Sequence, residues 1–166
     1  MPNRDALTEI LTAAARTPDH GKLEPWRFVV LSAKAMARLA ELVSERGHAP
    51  GKSDEEIEKM RAQYAGAPLA VAVVSSPKEP IKVPLVEQRN SAAAVCLGLL
   101  NAALAAGWGA NWLTGWPAHD EGFRVQGLGL GEGEEIVGVV HIGTARAVPP
   151  ERPRPDIEAL TTWVME

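Results

Sequence analysis

Residues 16–28 read Arg-Thr-Pro-Asp-His-Gly-Lys-Leu-Glu-Pro-Trp-Arg-Phe, and this stretch decides how the rest of the sequence is interpreted. It places His20 and Lys22 in a turn bracketed by Pro18 and Pro25, with Arg16 just before the turn and an apolar run directly after it. Guanidinium and imidazole groups can both donate hydrogen bonds to carbonyl or phosphate oxygens. The turn therefore predicts a binding loop for an anionic, planar ligand.

The composition limits the classes of protein to which the chain can belong. The chain has 166 residues, of which 46% are hydrophobic and 23% charged, so a single folded domain over residues 1–166 is expected. The formal net charge of -4 disfavours proteins that bind nucleic acid or an anionic membrane, because those usually carry a basic excess. A small molecule or another protein is the expected partner.

The single cysteine, Cys96, lies in an apolar run, which predicts a buried thiol. With one cysteine, no disulfide can form within the chain. Residues 1–5 lack the apolar stretch of a secretory signal, and a lone thiol suits a reducing compartment. The sequence therefore predicts a cytoplasmic protein that is not held in a membrane.

The segments that flank the loop predict a helix before it and a strand after it. Residues 3–15 carry apolar side chains at helical spacing, and Pro18 ends that helix. Residues 26–31 are typical of a β-strand. Two further helices, over residues 32–46 and 53–64, are indicated by serines that can cap a helix N-terminus.

The middle of the chain predicts a central strand and a long helix. Residues 69–74 are almost wholly apolar and rich in valine, which favours a strand buried on both faces. The proline-rich segment 75–84 predicts a loop that could cover a site. Residues 85–106 are helical in pattern and apolar on nearly every side, so we expect burial at a protein interface. Polar residues at 87–90 and at Asn101 leave too short an apolar run for a membrane span.

The last third of the chain predicts two more strands, over residues 110–114 and 136–142. A short helix is expected over residues 119–128, and a terminal helix from Asp156 to about Val164. These elements together predict an α+β fold. We expect a mostly antiparallel central sheet of about four strands, flanked by helices.

Several common catalytic and metal-binding motifs are absent from the sequence. The four histidines are scattered, and no Cys-x-x-Cys or His-x-x-x-His pair occurs, so no metal site is expected. The Gly-x-Ser-x-Gly elbow and the Walker phosphate loop are also missing. The glycine-rich residues 127–131 neither follow a strand nor open a long helix, which disfavours a dinucleotide-binding fingerprint.

Four places along the chain resemble the FMN-dependent nitroreductase family, in particular its subgroup of very short chains with Pro-Asp-His in the first loop. The second place combines Lys-Val-Pro with Glu-Gln and a helix rich in serine and alanine. The third, Gly-Trp-Gly-Ala-Asn-Trp-Leu-Thr-Gly, is similar to the family's strand beside the flavin ring, and the fourth is similar to its terminal strand and basic pair. The four segments are residues 16–28, 82–91, 107–115 and 136–155.

The resemblance implies FMN as the cofactor and a homodimer whose two sites are shared between chains. In this family the first loop of one subunit reaches the flavin of its partner, which assigns Arg16 and His20 to cofactor contacts. The third segment would line the isoalloxazine ring, mainly through backbone groups, and the fourth would hold the phosphate. The residues implied are Trp112, Leu113, Thr114 and Gly115 for the ring, and Arg152 and Arg154 for the phosphate.

Each of these positions also has a purely structural interpretation. Arg16 could neutralise the C-terminus of the first helix, and His20 could satisfy the turn. Trp112 could belong to the core around its strand. Paired arginines in a proline-rich tail, such as Arg152 and Arg154, are often solvated charges with little energetic effect.

If FMN binds, the resemblance implies reduction of a nitro, quinone or similar small acceptor by a ping-pong cycle with NADH or NADPH. No catalytic side chain is then required, because the flavin carries the chemistry. Family members usually begin with an Arg-Arg-Ser segment that holds the flavin phosphate, and no Arg-Arg-Ser occurs in this sequence.

Three explanations of that departure remain open. The phosphate could rely on Arg152, Arg154 and the first loop alone. Part of a longer chain could be missing from the sequence. FMN binding could instead be weakened or lost, which would make the protein a degenerate relative that serves as a ligand-binding or interaction protein.

Overall fold

The computed structural model describes residues 1–48, 51–79 and 82–165. Short 3₁₀ turns occupy His20–Lys22 and Trp116–His119, and a π-helical turn occupies Phe123–Gly127. The helices are α1 (Arg4–Ala14), α2 (Ala33–Gly47), α3 (Asp54–Ala65), α4 (Leu85–Ala105) and α5 (Ile157–Leu160). The strands are β1 (Trp26–Ser32), β2 (Leu69–Ser75), β3 (Gly109–Leu113) and β4 (Glu135–Gly143).

The four strands form one antiparallel sheet in the order β1-β2-β4-β3. Helices α1 and α4 pack on one face of this sheet, and α2 and α3 pack on the other. Each face has its own hydrophobic core, so the sheet is the middle of three layers. The predicted α+β fold, with a mostly antiparallel sheet of about four strands flanked by helices, is confirmed.

Strand β2 is central, as its continuous apolar sequence predicted. All seven of its residues are buried. Its side chains alternate between the two cores, because successive residues of a strand point to opposite faces. Ala70, Ala72 and Val74 face α2 and α3, whereas Val71 and Val73 face α1 and α4. A strand with helices on both sides needs no polar face.

The helix starts follow the predicted capping side chains. The Asn3 side chain accepts a hydrogen bond of 2.9 Å from the backbone N–H of Ala6 at the start of α1. At the start of α3, the Ser53 hydroxyl accepts from the Glu56 N–H (3.3 Å) and the Glu56 carboxylate accepts from the Ser53 N–H (2.9 Å). These bonds satisfy N–H groups that have no partner inside the helix.

Two predicted helices differ from the structure. The helix expected over residues 156–164 is the single turn α5, because the backbone becomes extended at Thr161 (φ −116°, ψ 126°). Every described residue after α5 is exposed, so no packing stabilises a longer helix. The helix expected over residues 119–128 is present over residues 121–128, but Phe123–Gly127 is π-helical, and near its start the Asp120 carboxylate accepts from the Phe123 N–H (2.7 Å).

The proline-rich segment after β2 is a loop, and one buried side chain of α4 fixes both of its ends. Gln88 is 1% exposed. Its amide oxygen accepts from the Lys78 N–H (2.9 Å) and its amide nitrogen donates to the Val83 carbonyl (3.1 Å). Residues 80 and 81, which belong to the loop predicted over 75–84, lie outside the described residues.

Helix α4 has two faces of different environment. The face that packs on the sheet and on α1 is buried, and it includes Val95, Cys96 and Leu99. The other face, which we call the open α4 stripe, exposes Leu97 (49%) and Leu104 (48%) although both are large and apolar. The stripe consists of Val86, Asn90, Ala93, Leu97, Asn101 and Leu104, spaced three or four residues apart. None of the described helices has the length and hydropathy that a membrane crossing requires.

An ion pair ties the start of β1 to the chain just before β4. The Arg27 guanidinium donates two hydrogen bonds, of 2.7 and 2.6 Å, to the two carboxylate oxygens of Glu134. These bonds from Arg27 hold the pKa of Glu134 at about 2, against an ordinary value of 4.5. The folded state therefore binds this proton less readily than the unfolded chain.

We expect the Glu134→Gln variant to be less stable than the wild type at pH 7, by about 1–3 kcal/mol after allowance for the partly exposed Arg27. Because the pKa is lowered on folding, this contribution is complete above pH 4.5 and is lost as the pH falls towards 2. Urea denaturation between pH 2 and pH 7 measures the difference, which should shrink on the acid side. Glu58→Gln, which breaks the exposed Glu58–Arg61 pair, is the control. The prediction would be contradicted if Glu58→Gln lost as much stability as Glu134→Gln, with the same dependence on pH.

Candidate functional site

The loop formed by residues 16–28 is docked on the first turns of α4. The Ser91 hydroxyl donates to the Pro18 carbonyl (3.0 Å) and accepts from the Trp26 indole N–H (3.3 Å). One turn earlier on the helix, the Glu87 carboxylate lies 2.7 Å from Nδ1 of His20. Two residues of one helix face therefore hold the loop, and they come from the second segment of the family resemblance.

The backbone of this loop is strained. Gly21, Lys22 and Glu24 all have positive φ values, of 78°, 56° and 47°. Positive φ is uncommon for residues with a side chain and costs about 1 kcal/mol or more for each. The Asp19 carboxylate supports the conformation by accepting from the Glu24 N–H (2.9 Å). Strain of this kind persists only where the surroundings fix it, and it is common at binding sites.

A cavity of about 300 Å³ lies between this loop and α4, and we call it the loop shelf. His20 lines the loop shelf, and its side chain is 65% exposed. Arg16 is exposed but does not line it. The lining residues are Thr17, Pro18, Asp19, His20, Glu87, Asn90, Ser91 and Ala94.

The residues predicted to line the flavin ring lie at the end of β3, where two close contacts fix them. The Trp112 indole lies directly over Gly138 of β4, so that a Cβ at position 138 would overlap it. Trp112 also packs against the α1/α4 core, which agrees with its structural interpretation. Beyond the strand, a Cβ at Gly115 would overlap the Met60 sulfur of α3. Leu113, Thr114 and Gly115 line a small cavity on the α3 side of the sheet.

A larger cavity of about 680 Å³ runs along β3, an edge strand of the sheet, and we call it the sheet-edge cleft. Its size is typical of a small-molecule site. Polar groups come from Gln63, Asn111 and His141, and the wall includes Trp108 and Leu104. Gln63 and His141 also line the small cavity beside Leu113–Gly115, so the two cavities adjoin.

The sequence analysis did not select Gln63, Asn111 or His141. Asn111 and His141 are cross-strand partners in the β3–β4 register, which places their side chains on the same face. Gln63 comes from α3 and approaches them from a distant part of the chain. Burial lowers the pKa of His141, which favours the neutral form of its imidazole.

The arginines predicted to hold a phosphate lie in the exposed C-terminal tail. The tail leaves the sheet-edge cleft, which Ala147 and Pro149 help to line. Arg154 forms an ion pair with Glu151, and both side chains are about three-quarters exposed, at 76% and 77%. The cavity lined by Arg152 and Arg154 shares no residue with the small cavity lined by Leu113, Thr114 and Gly115. It shares none with the loop shelf either.

The groups around the sheet-edge cleft fit a planar heterocycle. Among the described strands none pairs with the outer edge of β3, so the outward N–H and C=O groups of β3 are available for hydrogen bonds. The amides of Gln63 and Asn111 add donors and acceptors, and Trp108 adds an aromatic wall. Within residues 1–48, 51–79 and 82–165 there is no cluster of three or more His, Cys, Asp or Glu side chains that could hold a metal ion.

Comparisons with known proteins point to one family. A model of the nitroreductase family matches residues 1–144. The Escherichia coli K12 protein named "Putative NAD(P)H nitroreductase YdjA" is 34% identical over 143 residues, which cover 86% of this chain and 78% of that protein. A Haemophilus influenzae protein with a similar name is 33% identical over 144 residues, with the same coverage of 86% and 78%.

Solved structures show the same fold. A nitroreductase-like family protein from Bacillus cereus superposes with a TM-score of 0.80 at 23% identity, over 99% of this chain and 87% of that one. A nitroreductase with bound FMN from Bacteroides fragilis gives a TM-score of 0.73 at 21% identity, over 98% and 89%. The family match over residues 1–144 and the curated relatives confirm the predicted family: the chain belongs to the nitroreductase family.

Proposed function

We propose that the protein is an FMN-dependent oxidoreductase that uses NADH or NADPH to reduce nitro, quinone or similar small acceptors by ping-pong hydride transfer. The observation that supports this most strongly is the sheet-edge cleft beside β3, in a chain of the nitroreductase family. The curated relatives carry NAD(P)H nitroreductase names, and FMN is bound in the Bacteroides fragilis structure. When bound, the flavin would supply the redox chemistry, and the protein would supply position and electrostatics. A cytoplasmic location fits the single free thiol of Cys96.

The ring of the cofactor would lie against Trp112, Leu113, Thr114 and Gly115, mainly through backbone groups. Gly115 suits such a contact, because it adds no side chain where α3 already approaches closely. Arg152 and Arg154 would hold the phosphate, since guanidinium groups form charge-assisted bonds with phosphate oxygens. The small-molecule acceptor would bind in what remains of the cleft.

We further propose that the protein is a homodimer that buries the open α4 stripe. Leu97 and Leu104 lie at helical spacing on that stripe, a pattern typical of helix–helix contacts. The tail also exposes Ile157 (65%), Leu160 (72%) and Trp163 (78%). The accessible surface of the chain is 10,691 Å², whereas about 7,900 Å² is expected for a compact chain of this mass. This additional accessible surface is larger than the area that a stable dimer interface buries, which is about 800 Å² for each partner.

A dimer of this kind would bring the loop shelf of one chain to the second chain. The loop shelf shares α4 with the open stripe, since Asn90 belongs to both and Ala94 adjoins the stripe. In this arrangement Arg16 and His20 would contact the flavin of the partner, as the family resemblance implies. The two equivalent sites would then lie at the interface.

Reconstitution with FMN tests the proposed function. Purified protein should bind FMN, show flavin absorbance and oxidise NADH or NADPH in the presence of a nitroaromatic or quinone acceptor. The competing proposal is a degenerate relative that binds ligands or partners without redox chemistry. Colourless protein that takes up no flavin from excess FMN would support that alternative and reject the enzyme.

The Arg154→Ala variant should bind FMN about 10- to 100-fold more weakly, because one charge-assisted phosphate contact is lost. Fluorescence titration of FMN into the apoprotein measures the affinity. Glu151→Ala is a matched control, since it breaks the same ion pair but leaves the arginine in place. Unchanged affinity in Arg154→Ala would remove this residue from the phosphate site.

A further inference from the structure

The pair formed by His20 and Glu87 has a specific orientation. The Glu87 carboxylate lies 2.7 Å from Nδ1 of the imidazole. An ionised carboxylate only accepts hydrogen bonds, so Nδ1 carries the proton in this contact. Nε2 lies on the opposite side of the ring and forms no hydrogen bond with the described residues. The ring therefore presents Nε2 on the side away from Glu87, and His20 as a whole lines the loop shelf.

The loop that carries His20 is fixed independently of this pair. Ser91 holds the Pro18 carbonyl, and the Asp19 carboxylate is engaged by the Glu24 N–H. The imidazole thus has one anionic partner on α4, and among the described residues that line the loop shelf Asp19 is the only other titratable one. Glu87 can consequently select one tautomer of a ring whose place is already set.

We propose that Glu87 is a positioning residue that accepts a hydrogen bond from Nδ1–H of His20, and that the imidazolium donates its Nε2 proton to the oxygen of the bound acceptor, which leaves the neutral Nδ1–H form. The inference rests on the proposed function, in which the loop shelf of one chain meets the cleft of the second. A carboxylate that fixes one imidazole nitrogen so that the other can transfer a proton is a general catalytic arrangement.

The proposed step transfers one proton from His20 to the oxygen of the acceptor. A quinone that receives a hydride, with NAD(P)H as the ultimate reductant, becomes the anion of a hydroquinone. The Nε2–H bond of the imidazolium breaks, an O–H bond forms on the quinone oxygen, and hydroquinone leaves. The imidazole remains neutral, with its Nδ1 proton on the Glu87 side. Solvent returns the proton to Nε2, because the His20 side chain is 65% exposed.

Nuclear magnetic resonance of the apoprotein tests the positioning role without flavin. With ¹⁵N-labelled histidine, and the His20 signals assigned from the His20→Gln variant, neutral His20 should be in the Nδ1–H form. Glu87→Gln should largely keep this tautomer, since an amide oxygen still accepts from Nδ1–H. Glu87→Ala should shift the ring towards the Nε2–H form. If the His20 signals of Glu87→Ala were the same as those of the wild type, the proposal would be overturned.

A second ion pair between α4 and a neighbouring element provides a matched control. Glu135 pairs with Arg89 of α4 at 2.9 Å, with side-chain exposures of 46% and 49% that are close to those of the His20–Glu87 pair. The Glu135→Gln variant should therefore leave the His20 tautomer unchanged. Melting temperatures should also be similar for all variants, because exposed pairs contribute little to stability.

Kinetics with two acceptors test the proton transfer. Menadione needs a proton as well as electrons, whereas ferricyanide accepts electrons alone. Glu87→Ala and His20→Gln should lower menadione reduction for each bound flavin by about tenfold or more, and by a larger factor than they lower ferricyanide reduction. An equal loss with both acceptors, or none with menadione, would overturn the donor role. If the wild-type protein bound no flavin, the proposed function would fail, whereas the tautomer result would stand.

Discussion

Replacement of Leu97 by aspartate is expected to separate the proposed dimer into monomers and to weaken FMN binding by more than about 100-fold. Leu97 is 49% exposed in the single chain and lies at the middle of the open α4 stripe. A carboxylate buried there in a helix–helix contact would have no partner and would lose its hydration. In the isolated chain it would remain in water, so the fold should persist. Sedimentation velocity measures the mass, and flavin fluorescence measures the affinity.

The control for this variant introduces the same charge elsewhere. Val125 is 51% exposed and lies in the π-helical turn, in the layer on the other side of the sheet from α4. Val125→Asp should leave both the dimer and the FMN affinity unchanged. A dimeric Leu97→Asp protein would show that α4 does not form the interface. A monomeric protein that kept its flavin would show that each chain holds a complete site.

Replacement of Gly138 by valine is expected to lower the stability of the fold strongly. Valine favours β-strands more than glycine does, so strand propensity alone predicts a gain in stability. The structure predicts the opposite, because the Trp112 indole lies where the new Cβ would stand. Overpacking of a close contact usually costs 1–3 kcal/mol, and the displaced indole brings the expected loss to about 3 kcal/mol. The move of Trp112 should also weaken FMN binding at the end of β3.

Urea denaturation and near-ultraviolet circular dichroism measure this effect. Gly131→Val is the control, because the nearest atom to its new Cβ is a Glu134 carboxylate oxygen at 3.8 Å. Its φ is also not positive, so a side chain brings no backbone strain. The control should keep nearly the wild-type stability. Wild-type stability in Gly138→Val would contradict the packing of Trp112 across β4.

The fold was predictable from sequence where the signal is local or continuous. The apolar run of β2 predicted a strand between two layers, and the capping box at Ser53 predicted the start of α3; both are confirmed. The terminal helix was predicted too long. Its capping residue is correct, but within the described chain nothing packs on the residues after α5, and a short helix needs such packing.

The candidate site was less predictable, because its contacts join distant parts of the chain. His20 and Glu87 are 67 residues apart, and neither sequence neighbourhood reveals the pairing. Gln63 lies on a polar helix and looks like a solvated residue until α3 is placed against His141. The roles of Arg16, His20, Trp112, Leu113, Thr114, Gly115, Arg152 and Arg154 in holding FMN stay predictions.

The open α4 stripe has a consequence for how the protein behaves on dilution. If each site is completed by a second chain, FMN binding and dimerisation are linked equilibria. Bound FMN then strengthens the dimer, and dimerisation raises the apparent affinity for FMN. Flavin would then dissociate more readily from dilute protein, and excess flavin would restore the assembled form. A Kd for FMN measured at nanomolar protein would exceed one measured at micromolar protein, by mass action alone.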